Sequence, residues 1–324
     1  MSKHSDQTKT QIVTRLAEGK FCSGEALGAE IGISRAAVSK HIKALTDLGL
    51  DIFSVTGKGY KLAQPIQLLN HNKICDCRSI NSPPELEVLN VIDSTNRYLK
   101  EKISELNNGH ACIAEAQTAG RGRHGRVWVS PFGSSLYLSL YWSFAGGYQS
   151  VGGLSLCIGV AVVNALKELG VAEIQLKWPN DIYANGKKLA GVLIEAEGQM
   201  DGECKCIIGI GLNVALPKNI NGIDQPWIDL AQITSNVVDR NKLVALLLDE
   251  LIFTLNKFEQ EGLKPFVNTW RSLDIYNNKF VQLIVGKKVI VGICRGIDDS
   301  GALLLEKDGH CHAYHGGKIS VRPA

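Results

Sequence analysis

The residues best suited to chemistry lie between positions 117 and 128, in the sequence QTAGRGRHGRVW. Three arginines (Arg121, Arg123 and Arg126) alternate there with three glycines. Arginine holds carboxylates and phosphates through two parallel hydrogen bonds, and glycine lets the main chain approach a ligand closely. The segment therefore predicts a cationic loop that closes over an acyl phosphate or a nucleotide. A basic surface turn is the alternative.

The spacing Gly120-x-Gly122-x-x-Gly125 also matches the fingerprint of dinucleotide-binding folds. That fingerprint needs a helix directly after the glycines, so that a pyrophosphate can rest on its N-terminus. Here the glycines lead into RVWVSP, which is β-branched and aromatic and ends at Pro131. Dinucleotide binding is therefore not expected.

A second group of polar side chains follows a strand predicted over 86–92. Ser94, Thr95 and Asn96 begin a helix that is predicted to continue to Leu106. Side chains and free backbone N–H groups at such a junction are expected to face one point. The stretch predicts a site for a small polar ligand group, although a helix cap would account for one of the three residues.

The stretch 177–181 (KWPND) is the third candidate. It places Asn180 and Asp181 just beyond a predicted strand, with a proline fixing the turn. An Asn-Gly pair at 185–186 then predicts a hairpin whose returning strand carries Lys188.

Composition indicates an ordinary globular protein of two or three domains. The chain has 324 residues, of which 45% are hydrophobic and 21% are charged. Its net charge of +3 falls in residues 1–64, which hold nine Lys/Arg against six Asp/Glu. Nine cysteines form an odd set, and the first residues contain no secretory signal, so reduced thiols and a cytoplasmic location are expected.

Apolar residues at helical spacing predict three helices near the start of the chain, over 8–18, 24–30 and 35–48. Ser23 and Ser34 would cap the second and third of them. Two short helices joined by a tight glycine turn are typical of a helix-turn-helix, whose second helix enters the DNA major groove. The following residues form two strand-like runs around a Gly-Lys-Gly tip, which makes the unit a winged helix.

The third helix and the wing tip present a polar, largely cationic face. Lys58 at the wing tip suits a phosphate or minor-groove contact, which positions a protein on DNA without reading its sequence. A winged helix used for protein contacts is the alternative. The residues predicted to contact DNA are Ser34, Arg35, Ser39, Lys40, Lys43 and Lys58.

Beyond a polar stretch over 64–84, strands outnumber helices and hairpins dominate. The central part is therefore predicted to be α+β with a mixed sheet, including a half-buried strand over 135–142. Short alternating runs from Phe280 onward predict a small five-stranded barrel. The predicted domains are 1–64, 65–273 and 274–324.

Two further stretches carry weaker signals. The apolar run Val151–Leu166 contains polar and glycine breaks and falls short of a membrane span, so a buried helix is expected and no membrane partner. A cluster of histidines and a cysteine near the end of the chain could bind a metal, but a half-exposed pair of strands is the favoured interpretation of this stretch. The cluster consists of His310, Cys311, His312 and His315.

Four motifs, in this order, are similar to those of biotin protein ligases: 92–96 (IDSTN), 117–126 (QTAGRGRHGR), 177–181 (KWPND) and 188–191 (KLAG). With a winged helix in front and a barrel behind, the chain resembles the bifunctional biotin ligases that also repress the biotin operon. The resemblance implies a catalytic domain of the biotin/lipoyl ligase type and an SH3-like barrel. It also implies Mg²⁺-dependent formation of biotinyl-5′-AMP from biotin and ATP. A lysine of the biotin carboxyl carrier protein of acetyl-CoA carboxylase would then accept the biotinyl group.

The resemblance also assigns roles to the motif residues. The residues implied in contacting biotin are Ser94, Thr95, Asn96, Gln117, Arg121, Gly122, Arg123 and Lys188. Those implied in catalysis are Arg121, Arg123, Asp181 and Lys188, with Asp181 also the implied Mg²⁺ ligand. Trp128, Asn180 and Trp227 would contact the nucleotide, although both tryptophans could equally be core aromatics.

As a repressor, the protein is expected to form a homodimer when biotinyl-5′-AMP is bound and to bind palindromic operator DNA. His124 stands where similar proteins often have arginine, and a neutral imidazole is expected to weaken a loop contact between subunits. A ligand-sensing transcription factor with a degenerate ligase domain is one alternative, which the intact Arg121, Asp181 and Lys188 disfavour. A lipoyl ligase is another, which the glycine–arginine loop disfavours.

Overall fold

The computed structural model describes residues 3–198 and 202–324, without the side chains of residues 3–6. The first part of the chain forms three helices followed by an antiparallel hairpin. These elements are α1 (Lys3–Ala17), α2 (Gly24–Ile31), α3 (Arg35–Asp47), β1 (Ile52–Val55) and β2 (Gly59–Leu62). The predicted winged helix is confirmed, with α1 beginning earlier than expected.

Local signals set the ends of these helices. The Ser23 hydroxyl accepts a hydrogen bond from the Ala26 N–H at 3.0 Å, and the Ser34 hydroxyl accepts one from Ala37 at 3.2 Å. Gly32 ends α2 in the left-handed conformation, which glycine adopts without strain. The apolar stripes then meet in a small core that includes Leu27, Val38 and Leu45.

The winged helix packs directly on the central part of the chain. Phe132 donates its backbone N–H to the Leu48 carbonyl at 2.9 Å, at the C-terminal end of α3. Phe132 and Ala116 are buried in the same apolar cluster as Leu45. The strand that leads to Gln117 is therefore in contact with the winged helix.

The stretch 64–84 was predicted only as a polar separator, and that description is incomplete. It contains a short helix, α4 (His71–Asp76), with Asn70 as its N-cap. The Leu69 N–H also donates to Glu115, and the Arg240 guanidinium donates to the Gln67 carbonyl. These bonds attach the segment to the central domain.

The central part is a seven-stranded mixed sheet in the order β3-β4-β5-β9-β8-β7-β6. Among the strands that the structure describes in this sheet, only β3 and β4 are parallel neighbours, as the many predicted hairpins imply. Its strands are β3 (Leu86–Ile92), β4 (Ala111–Gln117), β5 (Ser135–Phe144), β6 (Ile174–Lys177), β7 (Asp181–Ala184), β8 (Lys187–Gly198) and β9 (Cys204–Asn213). Its helices are α5 (Thr95–Glu101), α6 (Leu154–Glu168) and α7 (Leu230–Ile233). The mixed α+β sheet is confirmed.

Two details of the central part differ from prediction. Helix α5 ends at Glu101 instead of continuing to Leu106. Strand β5 is buried along nearly its whole length rather than half-buried, because α5 and the long helix α8 (Arg240–Glu261) both pack against it.

Helix α6 is the apolar run that was predicted to be a buried helix. The segment Tyr148–Glu168 is long and apolar enough to cross a membrane by composition, with a mean hydropathy of 1.6. In the fold, however, α6 packs against α8 (Arg240–Glu261) and α9 (Lys264–Leu273) in the main core. Core packing therefore explains its apolar sequence.

The chain ends in an antiparallel sheet in the order β13-β12-β11-β10-β14. Its strands are β10 (Phe280–Val285), β11 (Lys288–Ile297), β12 (Leu303–Lys307), β13 (His310–Tyr314) and β14 (Ile319–Pro323). The five predicted strands are confirmed. The histidine-rich stretch lies on the exposed strand β13, paired with β12.

All nine cysteines are free thiols. Burial raises the pKa of the Cys294 thiol to about 12 and also raises that of Cys157. The buried members of the set are Cys112, Cys157, Cys204, Cys206 and Cys294.

Candidate functional site

A cleft of about 710 Å³ lies between the central sheet and the C-terminal sheet. Most of the residues singled out in the sequence line it: Ser94, Thr95, Asn96, Gln117, Arg121, Gly122, Arg123, His124, Trp128, Asn180, Asp181 and Lys188. Trp227 lines an adjoining pocket of about 40 Å³, which also contacts Trp128 and Lys188. Motifs far apart in sequence are thus brought to one place.

One end of the cleft is polar and buried. Ser94 and Thr95 are each 2% exposed. Ser94 stands at the N-cap of α5, but its hydroxyl makes no capping hydrogen bond. Gln117 Oε1 accepts hydrogen bonds from the Thr95 N–H at 2.9 Å and from its hydroxyl at 3.2 Å. Gln117 Nε2 in turn donates to Ser130 Oγ at 3.0 Å, so these contacts fix the orientation of the Gln117 amide.

The expectation of free backbone N–H groups at this helix start is wrong for two of them. Thr95 donates to Gln117, and the Ser94 N–H donates to Asp93 Oδ1 at 2.6 Å. Side-chain oxygens accept from these two N–H groups, because the first N–H groups of a helix have no partner within the helix. A ligand here would meet mainly side-chain groups.

Asn96 is held by residues that sequence reasoning did not identify. Ser139 on β5 donates to Asn96 Oδ1 at 2.6 Å, and Asn96 Nδ2 donates to Glu195 Oε2 at 2.9 Å. A side chain on Gly209 would collide with Asn96, since a Cβ there would lie 2.9 Å from Asn96 Cγ. The signal for Ser139 was a polar residue in the middle of a mostly apolar strand.

The opposite end of the cleft is charged. Lys188 Nζ lies 2.7 Å from Asp181 Oδ1, and it also lies 5.4 Å from the centre of the Trp128 ring. Trp128 packs over Gly211, where a Cβ would lie 2.6 Å from the indole nitrogen. Gly211 on β9 therefore makes room for a side chain that forms part of the cleft.

The glycine–arginine loop covers the cleft as a short hairpin. The Gly122 N–H donates to the Arg126 carbonyl at 2.7 Å, and His124 at its tip has the left-handed angle φ 56°. Arg123 donates to Asn180 Oδ1 at 2.9 Å and to the Gly317 carbonyl at 2.8 Å. Burial lowers the pKa of Arg123. This arginine joins the loop to both sheets.

Further cleft residues are ones to which the sequence assigned no individual role. Lys177 donates to the Tyr183 hydroxyl at 3.1 Å, and burial lowers the pKa of Lys177. Its ammonium also lies 5.9 Å from the ring centre of Tyr276. The C-terminal sheet contributes Ser320 and Arg322 to the lining. These contacts depend on how the two sheets pack, which no local pattern reveals.

The predicted DNA-contacting residues lie on one helix and one turn. Each of them is exposed: Ser34, Arg35, Ser39, Lys40, Lys43 and Lys58. The face of α3 opposite them carries the buried Val38, Ile42 and Leu45. The cationic residues are therefore free to meet a polyanion.

The cleft has a buried polar end, a charged end and a cationic loop above both. Such an arrangement suits a bipartite ligand that joins a small polar head to anionic oxygens. Among the described residues, no group of three or more His, Cys, Asp or Glu forms a metal cluster. The class that this fold and cleft define is an acyl-activating ligase joined to a winged-helix DNA-binding unit.

Comparison with known proteins identifies the family. Residues 88–213 match the biotin/lipoate A/B protein ligase family, residues 8–61 match an HTH domain, and residues 278–322 match the biotin protein ligase C-terminal domain. The chain is 48% identical over 315 residues to the bifunctional ligase/repressor BirA of Escherichia coli (strain K12), covering 97% of each chain. It is 33% identical over 298 residues to BirA of Bacillus subtilis (strain 168), covering 90% of each.

A solved structure agrees with these matches. The biotin protein ligase from Aquifex aeolicus in complex with biotin and ATP superposes with a TM-score of 0.65 at 32% identity, covering 74% of this chain and 99% of that one. The chain belongs to the family of bifunctional biotin protein ligases and repressors.

Proposed function

We propose that this protein is an ATP-dependent biotin protein ligase. It forms biotinyl-5′-AMP and transfers biotin to a lysine of the biotin carboxyl carrier protein of acetyl-CoA carboxylase. The observation that carries the proposal is the single cleft, which joins the polar residues near Gln117 to the Lys188–Asp181 pair beneath an arginine loop. A biotin ring at the polar end would direct its carboxylate toward that pair.

In the first reaction, a biotin carboxylate oxygen attacks the α-phosphorus of ATP and pyrophosphate leaves. Negative charge accumulates on the oxygens around phosphorus, so fixed positive groups stabilise the transition state. Arg121, Arg123 and Lys188 supply that charge, and the cleft orients the two reactants. Trp128 and Trp227 pack beside the nucleotide, and Asn180 contacts it.

Mg²⁺ binds through one or two carboxylates together with substrate phosphates, so it requires no cage of protein ligands. Asp181 fits that requirement because its carboxylate lies in the cleft lining beside Lys188. Bound there, the ion would neutralise phosphate charge.

In the second reaction, the amine of the carrier lysine attacks the carbonyl carbon of the mixed anhydride. A C–N bond forms, the C–O bond to AMP breaks, and the amine loses a proton. Lys188 and Arg123 hold the phosphate of the leaving AMP. The loop must open for the carrier lysine to enter, because Arg123 joins the loop to the C-terminal sheet.

We also propose a repressor function. The exposed residues of α3 and Lys58 contact DNA, and biotinyl-5′-AMP acts as corepressor by favouring a homodimer that binds a palindromic operator. The boundaries 1–64, 65–273 and 274–324 remain our proposed domains. We place the protein in the cytoplasm, where nine free thiols would stay reduced.

The decisive experiment is incorporation of labelled biotin into a carrier domain with and without ATP. Lys188→Ala should abolish labelling, whereas Lys187→Ala should not, because Lys187 is exposed. A folded wild-type protein that fails to label the carrier would favour a ligand-sensing repressor. If the protein labels a lipoyl domain with lipoate in preference to labelling the carrier domain with biotin, a lipoyl ligase is favoured. Operator binding that ignored biotin and ATP would exclude the corepressor function.

A further inference from the structure

Glu195 on β8 lies where three parts of the cleft meet. Its Oε1 is 3.1 Å from Nη2 of Arg121 in the loop, and its Oε2 accepts the hydrogen bond from Asn96 Nδ2 at 2.9 Å. The Glu195 side chain is 18% exposed and that of Arg121 is 44% exposed. One carboxylate thus connects strand β8 to helix α5 and to the glycine–arginine loop.

The orientation of the Asn96 amide depends on this carboxylate. Asn96 is 4% exposed, and its Oδ1 already accepts a hydrogen bond from Ser139. Its other Nδ2 contact is a long one, 3.4 Å to the Leu193 carbonyl. Without Glu195, a buried amide donor would lose its short partner, and an unsatisfied buried donor is costly.

The position of the loop depends on the same carboxylate. A backbone bridge between Arg121 and Val127 closes the base of the loop hairpin. Near the tip, Arg123 is held by Asn180 and Gly317. The Arg121–Glu195 ion pair ties the base to β8, so loss of the Glu195 charge loosens the base and leaves the tip contacts intact.

We propose that Glu195 is a positioning residue, one that orients Asn96 for biotin and holds the base of the loop over the cleft. The proposal rests on the proposed function, since it assigns biotin as the ligand that Asn96 meets. Glu195 contacts neither the reacting carboxylate nor the phosphate. It acts through two residues that line the cleft.

Two substitutions separate the two contacts. In Glu195→Gln, the amide oxygen can still accept from Asn96, but the charge that attracts Arg121 is lost. In Glu195→Ala both contacts are lost. Glu197→Gln is the matched control, because Glu197 lies two residues along the same strand and pairs with Lys100, 2.7 Å away, at the surface.

The first readout needs no ligand: the rate of tryptic cleavage within the loop, which contains three arginines. Glu195→Gln should raise this rate about two- to fivefold, the range expected for a partly exposed ion pair. The second readout is the KM for biotin in adenylate formation. It should stay within about twofold in Glu195→Gln and rise about tenfold in Glu195→Ala. Glu197→Gln should change neither.

If trypsin cleaves the loop of Glu195→Gln at the wild-type rate, the assignment of Glu195 to the loop is overturned. A wild-type biotin KM in Glu195→Ala would overturn the Asn96 assignment. If Glu195→Ala does not fold, Glu195→Gln still tests the loop. If the wild-type protein binds no biotin, the proposed function is refuted. Faster tryptic cleavage of the Glu195→Gln loop would in that case still support the contact between Glu195 and the loop.

Discussion

Replacement of Gly209 by alanine should weaken biotin binding. The added Cβ would lie 2.9 Å from Asn96 Cγ and 3.1 Å from Nδ2, closer than van der Waals contact allows. Neither the Gly209 backbone nor the Asn96 side chain can move freely. The backbone of Gly209 is paired with Ser139 on one side and Leu193 on the other, and Asn96 is bonded to Ser139 and Glu195.

The size of the loss in biotin affinity depends on whether Asn96 or the Gly209 backbone is displaced. If Asn96 moves, two hydrogen bonds are lost, each worth about 0.5–1.5 kcal/mol. If the backbone moves instead, overpacking costs about 1–3 kcal/mol. Both routes cost about 1–3 kcal/mol. To bind biotin, the variant must return Asn96 to its wild-type position against this cost, so biotin affinity should fall by about 5- to 150-fold.

Titration calorimetry of the ligand-free protein with biotin measures this loss. Gly152→Ala is the control, because a Cβ there meets its nearest atom at an ordinary 3.6 Å. Gly211→Ala should instead displace Trp128 and weaken nucleotide binding more than biotin binding. Unchanged biotin affinity in a folded Gly209→Ala protein would refute the assignment of Asn96 to the biotin end of the cleft.

Three further outcomes are expected. Arg240→Met should lower the free energy of unfolding by about 3–5 kcal/mol in urea titrations, because it leaves a buried Glu115 without its cation; a loss below about 1 kcal/mol would contradict this. Burial raises the pKa of Asp274 from 3.8 to about 6, so its stabilising contribution is complete below pH 3.8 and is lost as the pH rises through about 6. Asp274→Asn should flatten that part of the stability–pH profile, and an unchanged profile would argue against it. Lys58→Ala should weaken operator binding and reduce the slope of log K against log salt by about 1, whereas unchanged affinity across salt would remove the wing from the interface.

Local features of the fold were predictable because their causes are local. Ser23 and Ser34 cap the helices that the sequence assigned to them. Asn185 and Gly186 both adopt positive φ at the tip of the predicted hairpin, as that turn type requires. Most of the motif residues singled out in the sequence line one cleft.

Features set by packing were not predictable. Strand β5 alternates in sequence like a half-buried strand, yet helices cover it and bury it. Ser139 and Glu195 hold Asn96 only because the order of strands in the sheet brings β5 and β8 to either side of β9. The contributions of the C-terminal sheet likewise depend on contacts between parts of the chain that are distant in sequence.

The placement of the cysteines provides a built-in set of probes for partial opening. Only a thiolate attacks disulfide reagents, so buried thiols react when the structure around them opens. Cys157 reports on helix α6, Cys206 on strand β9 and Cys294 on the C-terminal sheet. Labelling rates resolved by peptide mass would give a separate opening free energy for each region of the wild-type protein, and would show whether ligands that bridge the cleft slow the opening of both sheets together.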